Sequence, residues 1–280
     1  MTAPSLFSRL KTCALLRNVR ILYMTPGFAT RVTGCPICGS SQTAFEYKNR
    51  YVPLDRCVAC GHVFSRKLPG KRILNLMYGD MHYWTKDKFH QGITEIRPSE
   101  QWQGFTGARV GILERTGLLG DGAPRKFFEI GCSEGMVLHE LHMRGHEVMG
   151  CEMNPEISEE GRKQLGVDIR TAMFEDLELP RASFDVVMSF HTIEHVKSPR
   201  AVFEHIVQIL RPEGTVLIEV PCGPEEYNNT DHLHFFCEES LKRLIQDYFE
   251  ETEVIDNSYT NFEGVQIGSL YGIGRRVKAR

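Results

Sequence analysis

Three groups of residues in this sequence combine types and spacings that can do chemistry. Cys35-Pro-Ile-Cys38-Gly39 and Cys57-Val-Ala-Cys60-Gly61 are two Cys-x-x-Cys-Gly turns separated by eighteen residues. Each turn can aim two thiolates and several backbone N–H groups at one ion, and the pair makes a tetrahedral site with Cys35, Cys38, Cys57 and Cys60 as ligands. Iron would take the same thiolates, but zinc is the ion expected. A redox role is disfavoured, because neither Cys-x-x-Cys pair opens a helix after a strand. The second group is Glu129-Ile-Gly131-Cys-Ser133-Glu-Gly135. Glycines after an apolar strand and before a helix let the chain turn tightly and approach a ligand, which then meets the helix N-terminus. The spacing is not the Gly-x-Gly-x-x-Gly of dinucleotide binders. Glu129 sits where it can attract a cationic amino group, and Glu152, at the end of the next strand, where a carboxylate can take both hydroxyls of a ribose. The third group is histidine-rich: His191-Thr-Ile-Glu194-His195, and His232 with His234 in a polar stretch beginning at Asn228.

These residues need elements to position them. Lys126–Ile130 reads as a strand, 135–144 as a helix, 147–151 as a strand and 155–165 as a helix opened by Asn154-Pro155, a cap followed by proline. A short strand over 167–171 comes next. Phe184–Phe190 is a nearly continuous apolar run, the pattern of a strand buried on both faces. A helix over 198–210, a strand over 214–220, a helix over 238–248 and strands over 252–256 and 265–273 complete the pattern. Strands alternating with helices predict an α/β fold with a doubly wound, mostly parallel sheet. The last two strands have no long helix between them and are expected to form an antiparallel edge. A helix is expected within 101–119. The organisation expected is a basic extension (1–30), a zinc ribbon (31–68), an aromatic connector and helix (69–120) and the large α/β domain (121–280).

With the motifs in place, a resemblance is visible. Glu129–Gly135 resembles the first motif of class I S-adenosylmethionine-dependent methyltransferases, and Val148-Met-Gly-Cys-Glu152 the second. Leu179–Val196 resembles the fourth motif, and Leu210–Pro221 the segment after it. The match covers roughly residues 120–275 with its motifs in order. The resemblance implies S-adenosylmethionine as cofactor, with Glu129 and Gly131 at its methionine end, Ser133 and Gly135 in the same turn, and Glu152 on the ribose. Ser133 stands where that family most often has glycine. The acid that usually reads the adenine amine is replaced within Ala172-Met173-Phe174, so Met173 is expected as an apolar wall and Phe174 as a backbone N–H or an aromatic face.

Methyl transfer asks the protein to align a nucleophile with the methyl group and to take a proton from it. His191, His195 and His232 are the candidates, His191 being the better base and His232 facing the substrate, with His234 structural. His191-x-x-Glu-His195 also matches the inverzincin pattern of zinc proteases, but the histidines follow a buried strand and precede a loop, which excludes that chemistry. Ubiquinone-type O-methyltransferases, which this region resembles, have an acid-and-histidine cluster here linked to a divalent metal; His191 stands where they carry a carboxylate. A ribbon followed by an aromatic connector (Tyr78, Tyr83, Trp84) and a class I domain resembles sugar C-methyltransferases of nucleotide-linked deoxysugars, which carry a further C-terminal domain. The expected acceptor is therefore a small molecule, a sugar or a glycan or secondary-metabolite precursor. A rival reading docks RNA through the ribbon, using Lys48, Arg50 and Arg56. Another is a non-catalytic cofactor-binding scaffold.

Composition bounds these readings. The chain has 280 residues, 41% hydrophobic and 25% charged, with a formal net charge of −3. That balance gives no general attraction to nucleic acid or to an anionic membrane, and no apolar run approaches the ~20 residues needed to cross a bilayer. Nine cysteines, four of them in the two turns and five scattered, read as reduced thiols of a cytoplasmic protein. No acid precedes Glu46, whereas Arg9, Lys11, Arg17, Arg20 and Arg31 are basic. A mitochondrial transit peptide, an amphipathic helix and a loose extension share that bias.

Overall fold

A computed structural model describes residues 29–49, 52–75, 78, 100–229, 231–260 and 266–279. The basic stretch 1–28, Arg50, Tyr83 and Trp84 lie outside the described residues. The chain begins with β1 (Ala29–Arg31), β2 (Thr43–Asn49), β3 (Val52–Cys57), β4 (Val63–Ser65), β5 (Lys67–Pro69), α1 (Lys71–Leu74) and α2 (Glu100–Arg115). It continues with β6 (Lys126–Ile130), α3 (Met136–Met143), β7 (Glu147–Glu152), α4 (Pro155–Leu165), β8 (Asp168–Thr171), β9 (Phe184–Phe190), α5 (Pro199–Ile209) and β10 (Leu210–Cys222). The last elements are β11 (His234–Phe235), α6 (Glu238–Gln246), β12 (Phe249–Asp256), β13 (Tyr259–Thr260) and β14 (Gln266–Val277).

The main sheet runs β12-β14-β10-β9-β6-β7-β8. Its β10-β9-β6-β7-β8 portion is parallel, and β14 lies antiparallel between β10 and β12, so the expected antiparallel edge is present. The strands show why they read as apolar runs. Phe128, Val187, Val216 and Ile218 point into the hydrophobic layer on one face, with Phe203, Ile206, Leu244 and Tyr248 of the covering helices. Their neighbours Phe127, Val186, Met188 and Leu217 point into the opposite layer with Leu138, Leu141, Val110 and Leu113. Alternate side chains thus leave water on both sides, as helices on both faces of a parallel sheet require.

Local signals set the helix starts. Asn154 Oδ1 accepts from the N–H groups of Glu156 (3.0 Å) and Ile157 (3.1 Å), with Pro155 in the first turn. Ser198 Oγ accepts from Ala201 N at 3.2 Å ahead of α5. These bonds satisfy amides that a helix start leaves unpaired.

The cysteine-bearing module is fused to this core. β2, β3 and β4 form a sheet whose fourth strand is β11, contributed from beyond β10. Cys35, Ile37, Cys57, Cys60 and Phe64 belong to the same hydrophobic cluster as Phe203, Ile206 and Phe236. A ribbon this size buries little apolar surface alone, and packing onto α5 and β11 supplies the remainder.

Candidate functional site

Sheet order brings β6, β7, β9 and β10 side by side, so the candidate residues collect where their carboxyl ends meet, the crevice of an open α/β sheet. On the β6–β7 side, Gly131 and Gly135 have φ of +68° and +82°, which a residue with a Cβ adopts only at a cost. Neighbours also forbid a side chain there. A Cβ on Gly131 would fall 2.7 Å from Thr192 Cγ2 and nearer still to its Oγ1, and one on Gly135 would meet Val167 and Ile169 at 2.9 Å. The glycines therefore serve protein–protein packing, and Gly131 lets the β6 turn abut the loop after β9.

Glu152 is buried, and both carboxylate oxygens are held by the backbone: Ser133 N donates to Oε2 at 3.2 Å and Asn154 N to Oε1 at 2.8 Å. Burial outweighs those bonds and lifts its pKa to about 7. Glu129 is buried too, and its Oε2 has no hydrogen-bond partner. Burial lifts its pKa to about 8, opposed by the Arg109 charge and reinforced by Glu152. A buried acceptor with nothing to bind is costly; a ligand cation at Oε2 would relieve it.

Phe174 requires a correction. Its ring is buried, 5.6 Å from Phe128 and stacked at 4.4 Å on His205. It belongs to the core, so it cannot offer an aromatic face to a ligand, and only its backbone remains available. Met173 is half-buried beside Leu68, Leu74 and Leu233.

Across the crevice, His191 adopts φ +52°, a strained value for a non-glycine residue that surrounding structure must hold. Its Nδ1 lies 3.6 Å from Glu194 Oε1 and its Nε2 3.5 Å from Glu219 Oε1. Desolvation in the crevice opposes the charged ring, although the side chain keeps 40% exposure, and the two carboxylates prevail and raise its pKa to about 9. That direction favours His191 as a hydrogen-bond donor and counts against the sequence expectation that it is the better base. Glu219 in turn takes Arg109 Nε at 3.3 Å and the Ser269 hydroxyl at 3.2 Å, and the Arg109 guanidinium lies over Phe190. Glu194 would be raised by burial, but His191 and the neighbouring imidazoles bring it down to about 2. Arg109, Glu219, His191 and Glu194 thus alternate in charge along the crevice floor. Arg109 carried no sequence signal for this role. Glu219 did, as an acid inside the apolar run Val216–Val220.

His195 Nδ1 lies 3.0 Å from the Asp231 carbonyl and 3.0 Å from the Tyr78 hydroxyl. When Nδ1 donates to that carbonyl, Nε2 presents a lone pair on the side of Glu194 Oε1, 3.8 Å away. His232 is corrected as a base. Asp231 N donates to Asn229 Oδ1 at 3.2 Å, which fixes the amide so that Nδ2 donates to His232 Nε2 at 2.9 Å. The Nε2 lone pair is occupied, and burial pushes the pKa down to about 3. Its Nδ1 faces Glu226 Oε2 at 3.4 Å without a hydrogen bond. His234 is buried, with burial lowering its pKa to about 4, and it binds the Val196 carbonyl through Nε2 at 3.0 Å.

Two donor sets can hold a metal ion. The four thiols of Cys35, Cys38, Cys57 and Cys60 lie within 4.8 Å of one another, with Cys35–Cys60 at 3.6 Å and Cys38–Cys57 at 3.5 Å. Thiolates at about 2.3 Å from a tetrahedral ion stand about 3.8 Å apart, and a disulfide would need about 2.05 Å. The spacing fits an ion. Gly39 and Gly61, with φ +74° and +70°, return their N–H groups to the Cys35 and Cys57 carbonyls, which makes the two turns equivalent. Glu194, His195 and His232 form the second set, likewise within 4.8 Å. Glu194 Oε2 and His232 Nδ1, both buried, lack hydrogen-bond partners; a cation at Nδ1 would need the His232 proton on Nε2 and the Asn229 amide turned to accept it. His191 is not among its members.

Comparison with known proteins bears on the family and the fold. Residues 128–218 match the sequence family described as "Methyltransferase domain". The chain is 27% identical over 141 residues to a ubiquinone biosynthesis O-methyltransferase of Chromobacterium violaceum, a match covering 48% of this chain and 55% of the relative. It is 26% identical over 145 residues to the Idiomarina loihiensis protein of that name, covering 48% and 53%. The chain therefore spans about half the length of these curated relatives. Among solved structures, a phosphoethanolamine N-methyltransferase 2 of Haemonchus contortus, in complex with phosphomonomethylethanolamine and S-adenosylhomocysteine, superimposes with a TM-score of 0.53. Its identity is 15%, and the match covers 61% of this chain and 53% of that one. A SAM-dependent methyltransferase from Archaeoglobus fulgidus gives 0.50 at 16% identity, covering 63% and 97%. The chain carries a class I S-adenosylmethionine-dependent methyltransferase domain. Among the described residues no helix is long and apolar enough to cross a membrane.

Proposed function

We propose that this protein transfers the methyl group of S-adenosylmethionine to an oxygen or carbon of a small molecule, a sugar or a glycan or secondary-metabolite precursor. The observation that carries this reading is the contact between Gly131 and Thr192. It sets the ligand turn, with its unpartnered Glu129 Oε2, directly against the loop bearing Glu194 and His195. An electron-poor methyl group held by one side would face a proton acceptor on the other.

In this reading Glu129 takes the cofactor's amino group and Glu152 its ribose hydroxyls, along the turn containing Gly131, Ser133 and Gly135. The cofactor supplies an electrophilic methyl group. His195, oriented by Asp231 and Tyr78, removes the acceptor proton at Nε2. His191 and Glu219 hold acceptor hydroxyls by hydrogen bonds. In place of that base, a divalent cation on Glu194, His195 Nε2 and His232 would lower the pKa of an acceptor hydroxyl. Zinc on the four cysteines is structural, and the organisation into a ribbon (31–68), a connector (69–120) and a catalytic domain (121–280), in the cytoplasm, belongs to the same proposal. RNA docking is less favoured: Arg56 is committed to a two-point ion pair with Glu46 at 2.7 and 2.8 Å and to Tyr227.

The test is incubation of the protein with methyl-labelled cofactor and fractionated cell metabolites, followed by identification of the labelled product. Label in a small acceptor, lost in His195→Ala, supports the reading. Cofactor binding without label transfer to any fraction overturns it in favour of a scaffold. Label in RNA with steep salt dependence of binding supports the docking reading instead.

A further inference from the structure

His62 lies two residues beyond Cys60 on the cysteine-bearing module, yet its ring is fully buried against the catalytic domain. It stacks on His234 with centroids 5.4 Å apart and meets the Phe236 ring at 4.8 Å with the planes tilted by 58°. Its Nε2 is 3.2 Å from His234 Nδ1, and His234 Nε2 is 3.0 Å from the Val196 carbonyl. The direction of these bonds follows from the last partner. A carbonyl only accepts, so His234 Nε2 carries the proton, and in a neutral ring Nδ1 is then the acceptor. His62 Nε2 must donate to it. The other nitrogen of His62, buried and unpartnered, is the lone pair that remains.

The backbone runs the same way. Ser65 N donates to the Leu233 carbonyl at 2.9 Å, and β11 pairs with β4 through His234 and Phe235. The amides of Leu233 and His234 both donate to the Glu194 carbonyl, at 2.9 and 3.1 Å. Tyr47 on β2 donates to Asn228 Oδ1 at 2.9 Å, and Arg56 on β3 to the Tyr227 hydroxyl at 3.1 Å. The segment that carries Asn229 and His232 is therefore moored to the cysteine module at one end and to the Glu194–Val196 loop at the other.

We infer that His62 is a positioning residue: its N–H on His234 supports the tautomer that grips Val196, so the cysteine module sets the geometry of the loop bearing Glu194 and His195 and of the segment bearing His232. That this loop meets a methyl acceptor rests on the function proposed above; the relay rests on hydrogen-bond directions alone. The cofactor side, at β6 and β7, has no bond to this relay among the described residues. The cysteine module thus acts through hydrogen bonds on the acceptor side of the crevice and meets the cofactor side only through packing, Gly131 on Thr192 and Met173 on Leu233.

The experiment compares His62→Phe, which fills the same stack without a donor, and His62→Gln, which keeps a donor, in the full chain. Two readouts are needed: nitrogen-15 chemical shifts of the histidine rings, and amide hydrogen exchange. In the parent protein His234 should show a single Nε2-protonated tautomer. In His62→Phe, with metal content unchanged, His234 should become a mixture, and exchange over 191–197 and 231–236 should rise at least tenfold while 126–152 is unchanged. His62→Gln should restore both. His62→Leu carries the same reading should His62→Phe fail to fold. An unaltered His234 tautomer in His62→Phe, a uniform rise in exchange, or a His62→Gln as disturbed as His62→Phe overturns the inference. Failure to find any methyl acceptor would sink the proposed function and leave these readouts untouched.

Discussion

Glu129→Gln separates the contribution of a buried carboxyl to stability from its contribution to binding. Glu129 is 2% exposed, with its pKa lifted by burial from 4.5 to about 8. A carboxyl whose folded pKa is raised binds a proton that the unfolded chain has released, so wild-type stability falls as pH rises from 4.5 towards 8. At pH 7 that loss spans 2.5 pH units at about 1.4 kcal/mol each, or about 3 kcal/mol. Glutamine has no proton to take up, but an imperfectly bonded buried amide costs about 1–2 kcal/mol. The variant should therefore be about 1–2 kcal/mol more stable than the parent at pH 7, a few degrees in Tm, and about 1–2 kcal/mol less stable at pH 4.5. Cofactor affinity should move the other way. The ionised fraction of the free site rises from about 1% at pH 6 to about 9% at pH 7, so wild-type affinity should strengthen about ninefold over that step, until the cofactor's own amine begins to deprotonate near pH 8. The variant should bind weakly with no such slope. Calorimetric titration with S-adenosylhomocysteine and thermal unfolding across pH 4.5–8 measure both. A stability gap independent of pH, together with unchanged affinity, would refute the assignment of Glu129 as a buried ligand carboxylate.

Glu152→Ala should weaken cofactor binding strongly, because it removes the carboxylate and frees the Ser133 and Asn154 amides at once; unchanged affinity in a titration would remove it from the ribose. Gly131→Ala should cost about 2–4 kcal/mol in denaturant unfolding, from positive φ and overlap with Thr192, and pairing it with Thr192→Gly should recover part; no recovery would show the Thr192 contact to be irrelevant. Metal analysis should find about one tightly held zinc per chain, lost when Cys35 and Cys57 are both replaced by serine; zinc retained in that variant would exclude the four-cysteine site. Manganese added to zinc-loaded protein should give a second, weaker site by paramagnetic resonance, absent in Glu194→Gln, and its persistence there would move the cation elsewhere.

The alternation of apolar strands and helices was legible because both faces of β9 and β10 are buried, and a run such as Phe184–Phe190 has no other simple explanation. Lys126–Ile130 and Pro155–Leu165 coincide with the sequence reading, since a strand beside a glycine turn and an Asn-Pro cap are local signals. The four cysteines were legible for the same reason: the ligands of each turn are three residues apart. Residue type and spacing alone therefore determined the fold class, the glycine turn after β6 and the clustering of the four thiols. What His191, His232 and Phe174 do was decided only in three dimensions. The state of an imidazole depends on what faces each nitrogen, and Glu219, Asn229 and Glu194 come from different strands and loops. Whether a ring meets a ligand or the core depends on packing, and His205 and Phe128 close over Phe174 from a distant helix and strand. The bond from His62 to His234 spans 172 residues; no local pattern encodes it, because it exists only once β11 has paired with β4.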